Sequence, residues 1–246
     1  DLHRHAQAVV VSIMSEHLLD NAAWHAILGS QGELAERRGL AARFLPDVSP
    51  LAALAEPTEE ALTDLAALLS PGDVAAVVSD ASSLPDVEDL DRHTAITCFQ
   101  MVCQERPREP APHFDTLGPS DADDMVALAR ATEPGPFERN TIAMGTYFGV
   151  REGGRLIAMA GERLKPEGWI EVSGVCTLPE ARGKGLASGL VVAVTHLAAD
   201  AGCAAFLHVV EGSPSMETAL AVYERCGFET RTKIYVHPLM RKPSAA

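Results

Sequence analysis

The sequence predicts an α/β sandwich on a mixed sheet, and three observations carry that prediction. From residue 120 onward, segments of helical period alternate with segments of strand period. The run CAAFLHVV (203–210) is nearly all apolar, the composition of a central strand covered on both faces. The stretch QERPREPAPHFDTLGPSD (104–121) contains four prolines and separates this region from a shorter α/β pattern ahead of it. The division read from these features is an accessory α/β unit at 1–104, a linker at 105–119, the main domain at 120–240 and a tail at 241–246.

In the first unit, GELAERRGLAARFL (32–45) has helical spacing. TEEALTDLAALL (58–69) reads as a second helix with Thr58 as its N-cap. DVAAVVSD (73–80) and TAITCFQMVC (94–103) read as strands. Beyond the linker, Ser120 and Asp123 bracket a capping box for the helix DADDMVALARAT. TYFGVREGGRLIAMAGERL (146–164) is two strands turning at Gly153-Gly154, and GWIEVSGVCT (168–177) is the next strand. The helix after it aligns Leu186, Leu190, Val194 and Leu197 on one face. Ser213 and Pro214 open a further helix that Gly227 ends, and FETRTKIYVHPL (228–239) closes the domain as a strand.

Composition narrows the function. The net charge of −14 is uneven: residues 1–116 carry 7 Lys/Arg against 19 Asp/Glu, and residues 117–246 carry 13 against 15. No basic stripe marks a nucleic-acid surface. No apolar run approaches the roughly 20 residues of a membrane span, and the opening DLHRHAQAVVVSIMSEH has no signal-peptide cleavage pattern. Five scattered cysteines without a CxxC pair read as free thiols of a reducing cytoplasm. The histidines lack ligand spacing, so no metal is expected.

Chemistry concentrates in VCTLPEARGKGLASGL (175–190), a strand, a glycine-rich turn and a helix start. Two glycines let backbone N–H groups crowd together, and the helix dipole favours an anion there. Arg182 and Lys184 add positive charge. A P-loop needs Lys followed by Ser or Thr after its last glycine, and Gly183, Gly185 and Gly189 are one residue too widely spaced for a dinucleotide fingerprint. A pyrophosphate of another ligand, or a plain helix cap, remains.

At this point the sequence resembles the GNAT superfamily of acyl-CoA-dependent N-acyltransferases. ARGKGLA is similar to that family's pyrophosphate turn, and ALAVYERCGF (219–228) resembles its second signature at the expected distance. EVSGVCTLPEARGKGLA is most similar to the glycine N-acyltransferase-like branch. The resemblance covers about residues 117–240, and the first unit is similar to the accessory half of two-part members, a degenerate copy of the same fold. It implies a GNAT-type mixed sheet, splayed beside the strand that precedes the turn and flanked by helices.

The resemblance also implies roles. Acetyl-CoA would be the co-substrate, with no metal. Backbone groups near Val175 and Thr177 would hold the pantetheine arm, and N–H groups of Arg182, Gly183, Lys184, Gly185, Leu186 and Ala187 the pyrophosphate. Tyr223 occupies the position of the proton donor to the departing thiolate. Glu171 is the candidate general base on the strand before the turn, where residues 171, 173, 175 and 177 share a face by period two. Glu162 and Glu224 are lesser candidates. Met216 stands where many relatives carry an asparagine that grips the pantetheine, and Ser213 or Ser215 could substitute. The acceptor would be the amine of a small molecule or amino acid. A non-catalytic acyl-CoA-binding module and acetylation of a protein lysine or N-terminus are the alternatives. Neither acceptor identity nor oligomeric state is encoded in a readable motif.

Overall fold

The computed structural model describes residues 17–108 and 112–243. The opening stretch read for a signal peptide lies, up to residue 16, outside the described residues, as do residues 109–111 of the linker. No described helix is long and apolar enough to cross a membrane.

Five helices flank one sheet of twelve strands among the described residues. In chain order they are α1 (Ala22–Leu28), β1 (Ala35–Arg38), β2 (Ala41–Phe44), β3 (Leu51–Leu54), α2 (Glu59–Leu68), β4 (Val74–Ser79), β5 (Leu90–Arg92) and β6 (Ile96–Cys103). There follow β7 (Asp115–Leu117), α3 (Ala122–Thr132), β8 (Tyr147–Glu152), β9 (Arg155–Glu162) and β10 (Trp169–Thr177). The chain ends with α4 (Leu186–Asp200), β11 (Ala204–Val210), α5 (Met216–Arg225) and β12 (Glu229–Arg241). The sheet order is β1-β2-β3-β4-β12-β6-β11-β10-β9-β8-β7, with β5 paired to β12. Only β3–β4 and β10–β11 are parallel. Strand β6 lies between β11 and β12 and pairs antiparallel with both. The 104/105 division thus falls just after a strand whose two partners both come later in the chain.

Local chemistry explains most elements. The Thr58 hydroxyl accepts from the Ala61 N–H at 3.2 Å and caps α2. Gly153 and Gly154, both at positive φ, form the two-residue turn between β8 and β9. α4 buries Leu190, Val191, Val194 and Ala198 against Ala158, Ala160, Ile170 and Val172 of the sheet. Each fully buried aliphatic of this kind contributes about 1.5–3 kcal/mol. On the opposite face, α3 sets Met125 and Leu128 against Tyr147, Met159 and Cys176.

Three expectations change. Residues 32–45 are a short 3-10 turn and the hairpin β1–β2, not a helix. Gly39 adopts φ +48, and the Asp64 carboxylate accepts from the Leu40 N–H at 2.9 Å, which fixes the reversal. The cap before α3 is made by Asp121, which accepts from the Gly118 N–H at 2.8 Å, while Asp123 pairs with Arg139. α5 starts at Met216 rather than at Pro214, because Gly212 to Ser215 form a turn closed by the Met216 N–H donating to the Ser213 carbonyl.

Candidate active site

The parallel pairing of β10 with β11 holds only from Trp169–Glu171 to Ala204–Phe206. Beyond it β10 pairs with β9 alone and β11 with β6 alone, so the two strands part and leave a gap in the sheet. A β-bulge helps open it. The register against β9 shifts by one residue between Ser173 and Cys176, and Gly174 sits there at φ +62, a conformation costly for any residue with a Cβ.

The bulge also reassigns faces. Glu171 pairs with Phe206 on the side covered by α1 and α3. Val175 packs against the α4 cluster, and Thr177 pairs with Ala158 of that same cluster. Residues 171 and 177 therefore point to opposite sides, and the period-two reading fails at the inserted residue.

At the end of β10 the chain passes through Pro179–Ala181 into the turn before α4. Gly183 and Gly185 have φ +78 and +75, and Gly185 is the N-cap of α4. The Gly185 carbonyl accepts the Gly189 N–H at 3.0 Å. Among the described residues, the N–H groups of 183–188 have no hydrogen-bond partner, as expected for the first turn of a helix. A Cβ at Gly183 would meet nothing within 4 Å, so the space over the turn is open. Gly189, by contrast, faces the Phe114 ring, which would stand 3.0 Å from an added Cβ. That glycine serves packing. The Arg182 Nε donates to the Thr177 carbonyl at 3.3 Å, and the exposed Lys184 lies 3.6 Å from Glu152. The Thr177 hydroxyl is buried without a partner.

Tyr223, on α5, packs its ring against Phe228 with centroids 6.2 Å apart and belongs to the same core as α4 and β11. Burial pushes its phenol up to about 12, with smaller contributions from Cys226 and Cys176. Met216 has spent its polar capacity internally, since its Sδ accepts from the Gly212 N–H at 3.2 Å.

Glu171 is held differently from a base. Its Oε2 accepts from Arg163 Nε at 2.8 Å and from the Leu164 N–H at 3.3 Å. Its Oε1 accepts from Arg163 Nη2 at 2.6 Å and pairs with His208 Nδ1 at 2.8 Å. All four lone-pair positions of the carboxylate are occupied. Burial alone would raise its pKa, but the charge and hydrogen bonds of Arg163, and then His208, outweigh this and hold the group well below the usual carboxylate range. Glu162 is likewise engaged, with Lys165 Nζ at 2.7 Å and the Thr146 N–H at 2.8 Å. Glu224 is exposed on α5.

The network around Glu171 extends across the sheet. Gln100 Nε2 donates to the Leu19 carbonyl at 2.9 Å and lies 3.1 Å from His208 Nε2, and Gln100 Oε1 accepts from Arg231 Nε at 2.6 Å. Arg231 in turn pairs with Asp20. None of this chain is marked in the sequence by a motif. The repeated placement of single polar residues within apolar strands (Gln100, Glu171, His208) is the signal that would have found it.

All five cysteines are free thiols. Among the described residues no cluster of His, Cys, Asp or Glu is arranged to hold a metal ion. A cavity of about 620 Å³ lies between residues 102–108, Val192 and the Arg225–Gly227 end of α5.

Residues 115–228 match the model of the Acetyltransferase (GNAT) family. A solved structure from Novosphingobium aromaticivorans, described as a GNAT-family acetyltransferase, is 35% identical with a TM-score of 0.80. The match covers 93% of this chain and 100% of that one. A GCN5-related N-acetyltransferase from Kribbella flavida shares the fold at 20% identity, with a TM-score of 0.59 over 92% of this chain and 96% of that one. A GCN5-related N-acetyltransferase-like protein from Streptococcus suis does so at 13%, with a TM-score of 0.54 over 88% and 91%. No curated protein matches the sequence. With a family model across its second half and a 35%-identical relative spanned from end to end, the chain belongs to the GNAT family of acetyltransferases.

Proposed function

We propose that the protein transfers an acetyl group from acetyl-CoA to the amine of a small molecule or amino acid. The observation that carries this reading is the conjunction of the β10/β11 gap with the partnerless N–H groups of 183–188 at its end. The residues fit such a ligand: open space over Gly183, an orphaned Thr177 hydroxyl and a positive helix terminus. Val175 and Thr177 would hold the pantetheine arm through the edge of β10, and Arg182 through Ala187 the pyrophosphate. With Met216 engaged by Gly212, the Ser213 or Ser215 hydroxyl would take the asparagine's place near the start of α5. The thioester supplies the activated acyl group.

Tyr223 keeps its proton across the neutral range and can offer it to a departing sulfur. Complete transfer from a phenol near 12 to a thiolate of ordinary pKa, about 8.5, is uphill by roughly 5 kcal/mol at about 1.36 kcal/mol per unit. Its main contribution is therefore a hydrogen bond to the charge that develops on sulfur.

Glu171, saturated by donors, positions Arg163 and His208 and does not accept the amine's proton. The acceptor enters as the free amine or loses its proton to water. Similarity of EVSGVCTLPEARGKGLA to the glycine N-acyltransferase-like branch supports an acceptor of amino-acid size. The test is thiol release from acetyl-CoA across a panel of amines, amino acids and a lysine peptide. Turnover of the peptide alone, or of nothing, would overturn the reading.

A further inference from the structure

Backbone pairing between β10 and β11 stops at Glu171 and Phe206, yet a side-chain bond joins the two strands beyond that point. His208 lies two residues further along β11, on the face of Phe206, and the two rings meet edge-on with centroids 5.7 Å apart. From there its Nδ1 reaches back to Glu171 Oε1 at 2.8 Å. On this face the opening therefore begins past His208, about 7 Å beyond the last backbone pair at roughly 3.3 Å per residue.

The bond is one rung of a longer ladder. Taken in sheet order, β12, β6, β11, β10 and β9 contribute Arg231, Gln100, His208, Glu171 and, one residue past the end of β9, Arg163. Arg231 Nε lies 2.6 Å from Gln100 Oε1, and Gln100 Nε2 lies 3.1 Å from His208 Nε2. Arg163 Nε and Nη2 reach Glu171 at 2.8 and 2.6 Å. Because Gln100 gives its oxygen to Arg231, its amide faces His208 Nε2, and the imidazole proton sits on Nδ1, donated to Glu171. The other rungs join strands that backbone bonds already hold at that level; the rung from His208 to Glu171 does not.

We infer that Glu171 and His208 form a clasp that fixes the inner end of the gap, and that His208 positions the acyl end of the co-substrate there. The inference rests on the acyl-transfer reading above. In that reading the pyrophosphate lies over residues 182–187, at the outer end of β10, so the arm runs inward and its thioester comes toward the clasp. Affinity then resides mainly at the turn, and alignment of the thioester at the clasp. A displacement of about 1 Å at reacting atoms can cost on the order of a hundredfold in rate.

Two variants of similar bulk test the clasp. His208→Asn retains a nitrogen donor in place of Nδ1, whereas His208→Leu has the same branching and no donor; both lose the ring and its packing on Phe206. Acetyl-CoA affinity is measured by calorimetry, and kcat by thiol release with the best acceptor of the panel. His208→Leu should show a kcat at least about tenfold below that of His208→Asn, while both bind acetyl-CoA within about threefold of wild type. Equal kcat values in the two variants would overturn the proposal, since loss of ring packing alone affects both. So would a defect of His208→Leu confined to acetyl-CoA affinity. The wild type offers a check that needs no substitution: in 15N spectra of labelled histidine, His208 should carry a proton on Nδ1 and keep it when acetyl-CoA is added. A neutral ring protonated on Nε2 alone refutes the clasp. Wild-type protein that binds no acetyl-CoA refutes the transfer reading itself, and this inference with it.

Discussion

Replacing Glu171 by glutamine separates a structural carboxylate from a catalytic one. The side chain is 1% exposed and receives two hydrogen bonds from Arg163, one from the Leu164 N–H and one from His208. Glutamine keeps one acceptor oxygen and introduces an NH2 group that faces donors. Arg163 is left as a buried cation without its counter-charge, a change that costs about 3–5 kcal/mol. In a chain of this length about 2–4 °C is lost per kcal/mol, so the unfolding temperature should fall by roughly 6–20 °C.

The pH dependence carries a second signature. The folded-state pKa of Glu171 is lowered, so its contribution is complete above its unfolded value of about 4.3 and is lost as pH falls below it. The wild type should lose stability through this acid range more steeply than Glu171→Gln, whose residue 171 does not titrate. Calorimetric unfolding from pH 3 to 7, read beside the pH–rate profile of thiol release at a permissive temperature, measures both effects. An unfolding temperature within about 2 °C of wild type, combined with loss of the rising limb of the pH–rate profile, would refute this reasoning and restore Glu171 as the base.

Three further outcomes are expected. Gly183→Asp combines a costly φ of +78 with a carboxylate at an anion cradle and should weaken acetyl-CoA binding at least about tenfold by calorimetry. Lys184→Ala, which removes an exposed charge 3.6 Å from Glu152, should change it by less than about threefold. Tyr223→Phe should lower kcat by roughly hundred- to thousandfold with acetyl-CoA affinity intact, the loss expected when a donor to developing charge is removed. With no free carboxylate on β9 or β10, the pH at which kcat/KM rises should follow the pKa of each acceptor amine across a series. A midpoint common to all acceptors would instead reveal a titrating group of the protein.

The legibility of these features tracks the range of the interactions behind them. Thr58 before α2 and the glycine pair between β8 and β9 act within four residues, and both were readable. The RGKG turn was readable because its glycines serve a backbone shape that only positive φ provides. Residues 32–45 misled because small apolar residues at helical spacing also suit a short hairpin, and the choice is made by Asp64, some 24 positions away. β7 lies within the proline-rich stretch, where composition hides a three-residue strand that exists only through its pairing with β8. A single extra residue at the Gly174 bulge reversed the expected facing of Thr177 relative to Glu171. Periodicity cannot register such a slip unless the partner strand is known.

The first part of the chain contributes to the walls of the gap. β11 is held on its far side only by β6, and β6 is held by β12. The polar chain through these strands has one consistent hydrogen-bond assignment. Gln100 must direct its oxygen at Arg231 Nε and its amide hydrogens at the Leu19 carbonyl and His208, since the reverse orientation would set donors against donors. His208 Nε2 is then the acceptor, and its proton sits on Nδ1, donated to Glu171. The tautomer beside the gap is thus dictated from Leu19 and Arg231, residues near the two ends of the described chain. Separating the N-terminal segment from the sheet would remove β6 from between two strands and leave His208 without the group that orients it. The segment before residue 105 is in this sense part of the gap's construction, and a chain shortened to residues 117–240 would keep the glycine-rich turn but lose the β6 pairing that keeps β11 in place beside β10.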